Sequence, residues 1–242
     1  MKRSLSDIFK SFNNRYFLNF LVTNFAQMLK AREPTLLERE DGHWYQTKFD
    51  KIYPSISTIL SATASDEKKN SLDSWRENEP AHEYITTQAQ DIGTQSHKII
   101  EDYLSHNLSL EEFDLLPIAH FNNLKPYLDN ISDVISIEQR MYSDKLKVAG
   151  TSDLIAEYNG ELSIIDYKTK RKPQIDDYMY EYYLQTTCYA QMFQEVTGKK
   201  INQVVILVSS EKNTRQEFIK SCDEYVQTVN ERLEKYYLNN LK

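Results

Sequence analysis

The pattern of apolar and polar positions divides the chain into a helical first half and a strand-rich centre. Apolar residues recur at helical spacing from Leu5 to Leu29, and again through most of residues 54–130. From Val134 onward, short runs rich in Val, Ile and Tyr replace that spacing, as is typical of buried strands. The pattern predicts a mixed α/β protein with a helical N-terminal half, a central sheet and helices that pack on it.

The helical half contains recognisable start and stop signals. One helix is predicted to open at Pro54–Thr58, where Ser or Thr can cap its first turn. Gly93-Thr94 predicts a break in the following pattern, because glycine disfavours a helix interior. The further predicted helical segments are 65–79, 80–90, 95–104 and 110–130, the last interrupted by Pro117 and Pro126.

The remaining segments alternate between strands and helices. Asp41-Gly42 marks a turn before one or two short strands at 43–53. The strands predicted later in the chain are 134–142, 147–158, 161–168, 202–208 and 214–219. Helices are predicted at 176–197 and 222–241.

Asn159-Gly160 is the strongest local signal, because it separates two apolar runs by two residues that tolerate positive φ. A type I′ turn at these residues pairs Tyr158 with Glu161. The same register, continued along the strands, places Asp153 opposite Asp166. Cross-strand neighbours point to the same face, with Cβ atoms about 5 Å apart. The sequence therefore predicts two carboxylates that face each other within apolar strands.

Two facing carboxylates repel each other, and their burial is costly unless a cation compensates. Hard carboxylate oxygens suit Mg²⁺ or Mn²⁺. Lys168 lies two residues beyond Asp166 and projects to the same face of the strand. Two acidic ligands and one ammonium group are typical of metal-dependent phosphodiester hydrolysis.

The alternative is that Asp153 faces solvent and that Asp166–Lys168 forms an exposed strand edge. Apolar neighbours of both aspartates argue for buried strands instead: Leu154, Ile155, Ile164 and Ile165. We therefore favour a metal site.

Composition narrows the possible function classes. The chain has 242 residues, of which 40% are hydrophobic, so it is not a disordered protein. A net charge of −7 argues against coating nucleic acid by bulk electrostatics. The two cysteines, Cys188 and Cys222, cannot hold a zinc ion or an iron–sulfur cluster and indicate a reducing compartment. No apolar run approaches the roughly 18 residues of a membrane span.

The first thirty residues leave two interpretations open. They are basic and amphipathic, which fits a mitochondrial transit peptide. They are also rich in Phe and Leu, as a helix that packs on its own domain would be. We expect a packed helix and a cytoplasmic protein of a bacterium or phage-infected host, with a mitochondrial protein as the alternative.

Asp153, the hairpin and Asp166-Tyr167-Lys168 resemble the signature of the PD-(D/E)XK nuclease superfamily. Further motifs resemble its RecB-type exonuclease branch: Gly93-Thr94-Gln-Ser-His97 before the sheet, Gly150, Asp-x-Lys-Thr through Thr169, and Gln185-Thr-Thr-Cys-Tyr189. Tyr53–Leu60 and Ser71–Trp75 are similar to the subgroup of mitochondrial genome maintenance exonuclease and related phage exonucleases. Asp91-Ile92 departs from the pattern, because a basic residue often precedes Gly-Thr there.

The resemblance implies a restriction-endonuclease-like central mixed sheet flanked by helices. It divides the chain into residues 1–52, an N-terminal helix with short strands, and residues 53–242, a RecB-like nuclease domain that includes a helical segment at 53–130. It implies Mg²⁺ or Mn²⁺ as cofactor. It implies no iron–sulfur cluster, because the cysteine quartet of the cluster-bearing relatives is missing.

The resemblance also implies roles for individual residues. His97, Asp153 and Asp166 would bind the metal, and the Tyr167 carbonyl would complete its ligands. Lys168 would be the catalytic lysine and would act together with the two aspartates. Gln185 and Tyr189, one helical turn apart, would hold substrate or position that lysine.

Other residues near these motifs have both a functional and a structural interpretation. Glu101 and Glu138 are candidates to support the metal ligands, although Glu101 fits a plain salt bridge equally well. The run that begins with Thr169, Lys170 and Arg171 is a candidate for phosphate contacts or a solvated charged surface. Ser57 and Thr58 would contact phosphate or cap a helix.

We therefore expect a metal-dependent DNA exonuclease that favours single-stranded ends and uses water as the nucleophile, in DNA replication, repair or recombination. The expected partner is DNA and not a membrane. The alternatives are a structure-specific DNA endonuclease and a non-catalytic DNA-binding module of the same fold. The intact Asp153, Asp166 and Lys168 argue against the module, because a degenerate relative would be expected to have lost one of them.

Overall fold

The computed structural model describes residues 21–240 and contains two sheets. The strands are β1 (Thr35–Arg39), β2 (Gly42–Gln46), β3 (Ile52–Pro54), β4 (Ile131–Ser143), β5 (Val148–Tyr158), β6 (Glu161–Lys170), β7 (Gln203–Ser210) and β8 (Thr214–Ser221). The first three form a small antiparallel sheet. The other five form a mixed sheet in the order β4-β5-β6-β7-β8, in which only β6 and β7 are parallel.

Helices cover both faces of the large sheet. They are α1 (residues 21–31), α2 (Ile56–Ala62), α3 (Asp66–Asn78), α4 (His82–Leu104), α5 (Leu115–Leu128), α6 (Tyr180–Thr197) and α7 (Val226–Asn240). Short 3₁₀ turns at Asp176–Met179 and Cys222–Glu224 precede the last two. The part of the predicted Leu5–Leu29 helix before residue 21 lies outside the described residues.

Alternation along the strands builds two cores. Ile155 and Ile164 point to the face covered by α1, α2, α6 and α7. Leu154 and Ile165 point to the opposite face, which α4 and α5 cover. The predicted fold class, a mixed sheet flanked by helices, is confirmed. No helix within residues 21–240 combines the length and apolar composition needed to cross a bilayer.

The predicted hairpin is confirmed in both turn and register. Asn159 and Gly160 have φ values of 53° and 82°, as a type I′ turn requires. Tyr158 pairs with Glu161, and the ladder continues in the predicted register. It ends at Leu154 and Ile165, immediately before Asp153 and Asp166.

The small sheet joins the large one near the start of α2. Tyr45 packs with Tyr142 and Ala149, and Ser55 forms a parallel bridge with Ala149. The Ser55 side chain accepts a hydrogen bond from Thr58 N at 3.0 Å, which confirms the predicted helix cap. Strand β1 was not predicted, and the domain division at residues 52 and 53 stays a prediction.

The predicted break at Gly93-Thr94 is wrong, because α4 runs unbroken from His82 to Leu104. A glycine costs a helix interior only about 1 kcal/mol relative to alanine, and burial of Ile99 and Ile100 outweighs that cost. A Cβ at Gly93 would lie 3.9 Å from Thr169 Oγ1, so α4 passes close to β6 at this point.

The predicted interruptions of 110–130 are also wrong. A single helix, α5, spans Leu115–Leu128, and residues 110–114 precede it. Pro117 lies in its first turn, where backbone N–H groups have no helical acceptor. Pro126 lies in the last turn, where the helix ends two residues later.

Two glycine substitutions test this description of α4 and of the hairpin. Gly93→Ala should raise the free energy of unfolding by about 0.5–1 kcal/mol, because alanine favours a helix interior and the site has room. Gly160→Ala should lower it by about 1–2 kcal/mol, because its φ of +82° disfavours an L side chain. Urea denaturation measures both changes, and a destabilised Gly93→Ala variant would contradict the unbroken helix.

Candidate metal centre

Carboxylates from three adjacent strands meet where the sheet's hydrogen bonding is interrupted. In the register of β4 and β5, Glu138 lies opposite Asp153, since Ile137 pairs with Leu154. The hairpin register places Asp166 opposite Asp153 from the other side. Neither of these two positions is itself a backbone pair. The carboxylates therefore meet at a gap in the ladder.

Glu138 has a backbone conformation that is unusual for a strand. Its φ is 48°, which costs an L residue roughly 1–2 kcal/mol, and the positions on either side of it stay paired. The Glu138 carboxylate lies 3.7 Å from His97 Nδ1. A local irregularity in β4 thus accompanies the approach of this carboxylate to the centre.

His97 enters the centre from the opposite layer of the fold. It lies in the middle of α4, and its ring meets the Tyr167 ring edge-on at 5.8 Å between centroids. Nδ1 lies 3.6 Å from Asp153 Oδ2, and Nε2 lies 3.0 Å from the Tyr167 carbonyl oxygen. One ligand atom each from His97, Glu138 and Asp153 all lie within 4.8 Å of one another.

The charge state of His97 follows from these neighbours. Burial disfavours the charged ring, but the Asp153 and Glu138 carboxylates outweigh that effect and raise the pKa of His97 to about 9. The protonated ring places a positive charge among the carboxylates and can donate to the Tyr167 carbonyl. A metal ion bound by this ring would displace the proton.

Asp153 is fixed by the backbone of the neighbouring strand. Its Oδ2 accepts a hydrogen bond from Tyr167 N at 3.0 Å. This contact follows directly after the last backbone pair of the hairpin. The side chain therefore takes over from the ladder and is held in place beside β6.

Asp166 forms a close pair with Lys168 and is not part of the three-residue group. The Lys168 ammonium lies 2.6 Å from Oδ2 of Asp166, a residue that is 2% exposed. Burial raises the pKa of Asp166 to about 6, although Lys168 opposes that rise. Burial also disfavours the Lys168 ammonium, but Asp166 and Asp153 outweigh it and raise the pKa of Lys168 above its ordinary value. Both groups are therefore charged at neutral pH.

Tyr182 holds Lys168 from the side opposite Asp166, a contact that the sequence analysis missed. The Lys168 ammonium lies 5.0 Å from the centre of the Tyr182 ring, and that of Lys170 lies 4.9 Å from it. Lys170 Nζ also donates to the Tyr182 hydroxyl at 2.7 Å. The available signal was the spacing on α6, where Tyr182 is one turn before Gln185.

Gln185, Tyr189 and Gly150 form one packing unit beside the centre. Gln185 Nε2 donates to the Tyr189 hydroxyl at 3.1 Å. A Cβ at Gly150 would lie 2.6 Å from Tyr189 Cε1, so the glycine makes room for this ring. Tyr189 is 3% exposed, and its burial favours a positioning role over the alternative of direct substrate contact.

The structure distributes the remaining candidate residues around the centre. Glu101 pairs with Lys98 at 3.2 Å, in line with the salt-bridge alternative. Thr58 Oγ1 accepts a hydrogen bond from His43 N at 3.2 Å and lies 2.8 Å from Ser55 Oγ. The other three lie at the surface or near it: Ser57 and Arg171 are exposed, and Thr169 is half-buried.

The centre lies between two openings. One is lined by Gly93, Thr94, His97, Glu101 and Glu138. The other lies between α2, α3 and α6, and includes Ser57, Lys168 and Gln185. The centre can therefore be approached from two sides.

The donor set fits a divalent metal ion. Carboxylate oxygens from Glu138 and Asp153 are hard ligands of the kind that Mg²⁺ and Mn²⁺ prefer, and an imidazole nitrogen is tolerated by Mn²⁺. Oδ2 of Asp166 is buried and, among the described residues, makes no well-directed hydrogen bond despite its contact with Lys168. Such an oxygen is available to a nearby cation.

Comparisons with known proteins match this part of the chain. The sequence model of the PD-(D/E)XK nuclease superfamily matches residues 127–241. Mitochondrial genome maintenance exonuclease 1 is 31% identical over 128 residues in Mus musculus, covering 50% of this chain and 38% of that protein. The Homo sapiens protein of that name is 28% identical over 131 residues, covering 51% of this chain and 38% of that protein.

Two further similarities cover smaller or more distant parts. An ATP-dependent helicase/nuclease of Clostridium kluyveri is 32% identical over 75 residues, covering 31% of this chain and 6% of that protein. A crystal structure from Eubacterium rectale, provisionally named an exonuclease, has 14% identity and a TM-score of 0.46, covering 63% of this chain and 66% of that one. The chain spans less than two fifths of the length of the mouse and human relatives.

Gly150→Ala tests the packing unit beside the centre. The added methyl group would lie 2.6 Å from the Tyr189 ring, so the free energy of unfolding should fall by about 1–3 kcal/mol. Shortening the partner in a Gly150→Ala/Tyr189→Leu variant should make the effect of the alanine smaller than it is in the parent protein. Chemical denaturation of the single and double variants measures the difference. Equal costs in both backgrounds would contradict the contact.

Proposed function

We propose that this chain, whose residues 127–241 belong to the PD-(D/E)XK nuclease superfamily, is a divalent-metal-dependent deoxyribonuclease that shortens DNA from single-stranded ends. The observation that carries the proposal is the meeting of His97, Glu138 and Asp153 directly beside the Asp166–Lys168 pair. Metal ligands next to a fixed ammonium group are what hydrolysis of a phosphodiester requires.

His97, Glu138 and Asp153 would hold the ion, with Asp166 and the Tyr167 carbonyl within reach of the same centre. When bound, a divalent ion supplies Lewis-acid activation of the phosphate and of water. Lys168 is held between Asp166 and the Tyr182 ring and therefore presents its ammonium group in a fixed direction. That group orients the attacking water and offsets the negative charge that develops on the phosphate.

The exonuclease part of the proposal rests on the relatives and on the shape of the centre. The mouse and human relatives carry the word exonuclease in their names. The two openings have volumes of 460 and 340 Å³, which is the scale of single nucleotides and favours one strand over a duplex. Lys170 and Arg171 follow the centre on β6 and beyond, where they can attract the phosphates of that strand.

The biological setting follows the same proposal. We place the activity in DNA replication, repair or recombination, in the cytoplasm of a bacterium or phage-infected cell. A mitochondrial location is the alternative, since two relatives are named for that organelle. Both cysteines of the chain are free and buried, which is compatible with either reducing compartment.

Labelled DNA tests the activity itself. With Mg²⁺ or Mn²⁺, the wild-type protein should shorten linear single strands and leave circular single strands whole, and EDTA should stop the reaction. Cleavage of circles would favour the endonuclease alternative. Binding without cleavage would favour the non-catalytic module.

Lys168→Ala should lower the cleavage rate at least about a hundredfold, because the charge beside the phosphate is lost. Metal binding should be retained, because Lys168 is not a ligand. Lys200→Ala is the matched control, since Lys200 pairs with the exposed Asp223 far along the chain from the centre. A Lys168→Ala variant that cleaves at the wild-type rate would contradict the mechanism.

Metal binding can be measured without any activity. At about a hundredfold excess over the dissociation constant, Mg²⁺ or Mn²⁺ should stabilise the fold by about 2.7 kcal/mol, which corresponds to a Tm increase of about 5–10 °C. Asp153→Asn keeps an oxygen for the Tyr167 N–H group but loses the charge, so its Tm increase should be less than half as large. Asp223→Asn, at an exposed ion pair, should respond as the wild type does. Equal responses of all three proteins would place the ion elsewhere.

A further inference from the structure

The opening between α2, α3 and α6 leads directly to Lys168. We call it the α3 cleft; its volume is 340 Å³, within the range of about 300–1,000 Å³ that is common for small-molecule sites. Lys168 lines this cleft and also contacts Asp166. A group bound in the α3 cleft would therefore lie immediately beside the phosphate that is cut.

The wall of the α3 cleft is largely apolar. Leu60 and Ala64 are each 6% exposed and form its floor. Leu72 of α3 is 45% exposed and forms the outer side. Because α3 has no buried side chain along its length, Leu72 is not part of either core. An apolar surface with a polar rim is typical of a ligand-binding groove.

The rim of the α3 cleft is positively charged. Lys68 and Lys69 of the first turns of α3 both line it. Glu181 lies 3.6 Å from Lys68, but it is also bound by Arg232 at 3.2 Å. Since Arg232 offsets the charge of Glu181, the lysines leave the rim net positive. A ligand with an apolar face and a negative group fits both the wall and the rim.

We propose that the α3 cleft is a subsite for one unpaired nucleotide next to the scissile phosphate. Its base lies against Leu60, Ala64 and Leu72, and its phosphate faces Lys68 and Lys69. The inference rests on the proposed function and adds a contact with the base, which neither the metal ligands nor Lys168 provide. Ser57 and Gln185 at the inner mouth are placed to hydrogen-bond to the sugar or the base edge.

Only an unstacked base can lie against this wall. In a duplex both faces of a base are covered by its neighbours, whereas a single strand can turn one base out. The subsite therefore favours single strands through the base itself and not only through the width of the opening. A contact with the base face also tolerates all four bases, because each has an apolar face.

Single abasic residues test the subsite. One such residue is placed in turn at each position that flanks the cleaved bond of a linear single-stranded oligonucleotide. At one position, the loss of the base should raise KM about five- to twentyfold and leave kcat within about twofold. This split is expected because the contact is made equally before and during the reaction.

Leu72→Ala provides the protein side of the same test. Leu72 lies on an exposed helix, so the variant should fold normally. It should raise KM for the intact strand and have no further effect on the strand that lacks the base, because both changes remove one contact. Leu238→Ala, at a residue of α7 that is 57% exposed, is the matched control and should leave both strands unaffected.

The outcomes separate the subsite from the activity on which it rests. If every abasic strand is cut within twofold of the intact strand, the subsite is wrong and the nuclease stands. The subsite is equally overturned if Leu72→Ala impairs intact and abasic strands to the same extent. If the wild-type protein with Mg²⁺ or Mn²⁺ cuts no linear DNA, the proposed function fails, and the subsite fails with it.

Discussion

The repulsion between carboxylates that meet inside a sheet is the constraint on which the rest of this structure depends. Glu138, Asp153 and Asp166 lie at matching positions of three neighbouring strands, where burial strengthens their mutual repulsion. Two positive groups offset it: His97 faces the first two, and Lys168 contacts the third. The sheet also yields, since its backbone pairing stops at this point and Glu138 adopts a positive φ. Such a concentration of cost is expected where a site serves chemistry.

The surrounding layers keep these groups in place from two sides. An unbroken α4 delivers His97 from one face of the sheet, with its ring against Tyr167. On the other face, α6 supplies Tyr182 beside Lys168 and Tyr189 beneath Gln185. Gly150 has no side chain because the Tyr189 ring occupies that space. Residues that look unrelated along the chain are thus parts of one support for the same few charges.

The sequence predicted those features that local chemistry decides. The Asn159-Gly160 turn fixed the strand register, and with it the facing positions of Asp153 and Asp166. The break at Gly93 was wrong because tertiary packing outweighed a small local preference of the backbone. The bulge at Glu138 could not be foreseen, since it depends on how two strands fit together and not on residue type. Tyr182 was missed as a partner of Lys168 because one tyrosine among many on α6 carries no mark of what lies opposite.

Helix α3 differs from its neighbours in having no buried side chain, and this has a consequence for motion. It is attached to the body through contacts at its ends and through ion pairs such as Lys68 with Glu181. Exposed ion pairs of this kind contribute little free energy, so local opening of α3 is expected at far lower cost than unfolding of the sheet. Amide hydrogens of this helix should accordingly exchange with solvent early, while those of β5 and β6 remain protected. The molecule thus joins a rigid floor to a hinged wall, and long polymers can enter and leave without disturbing the buried charges.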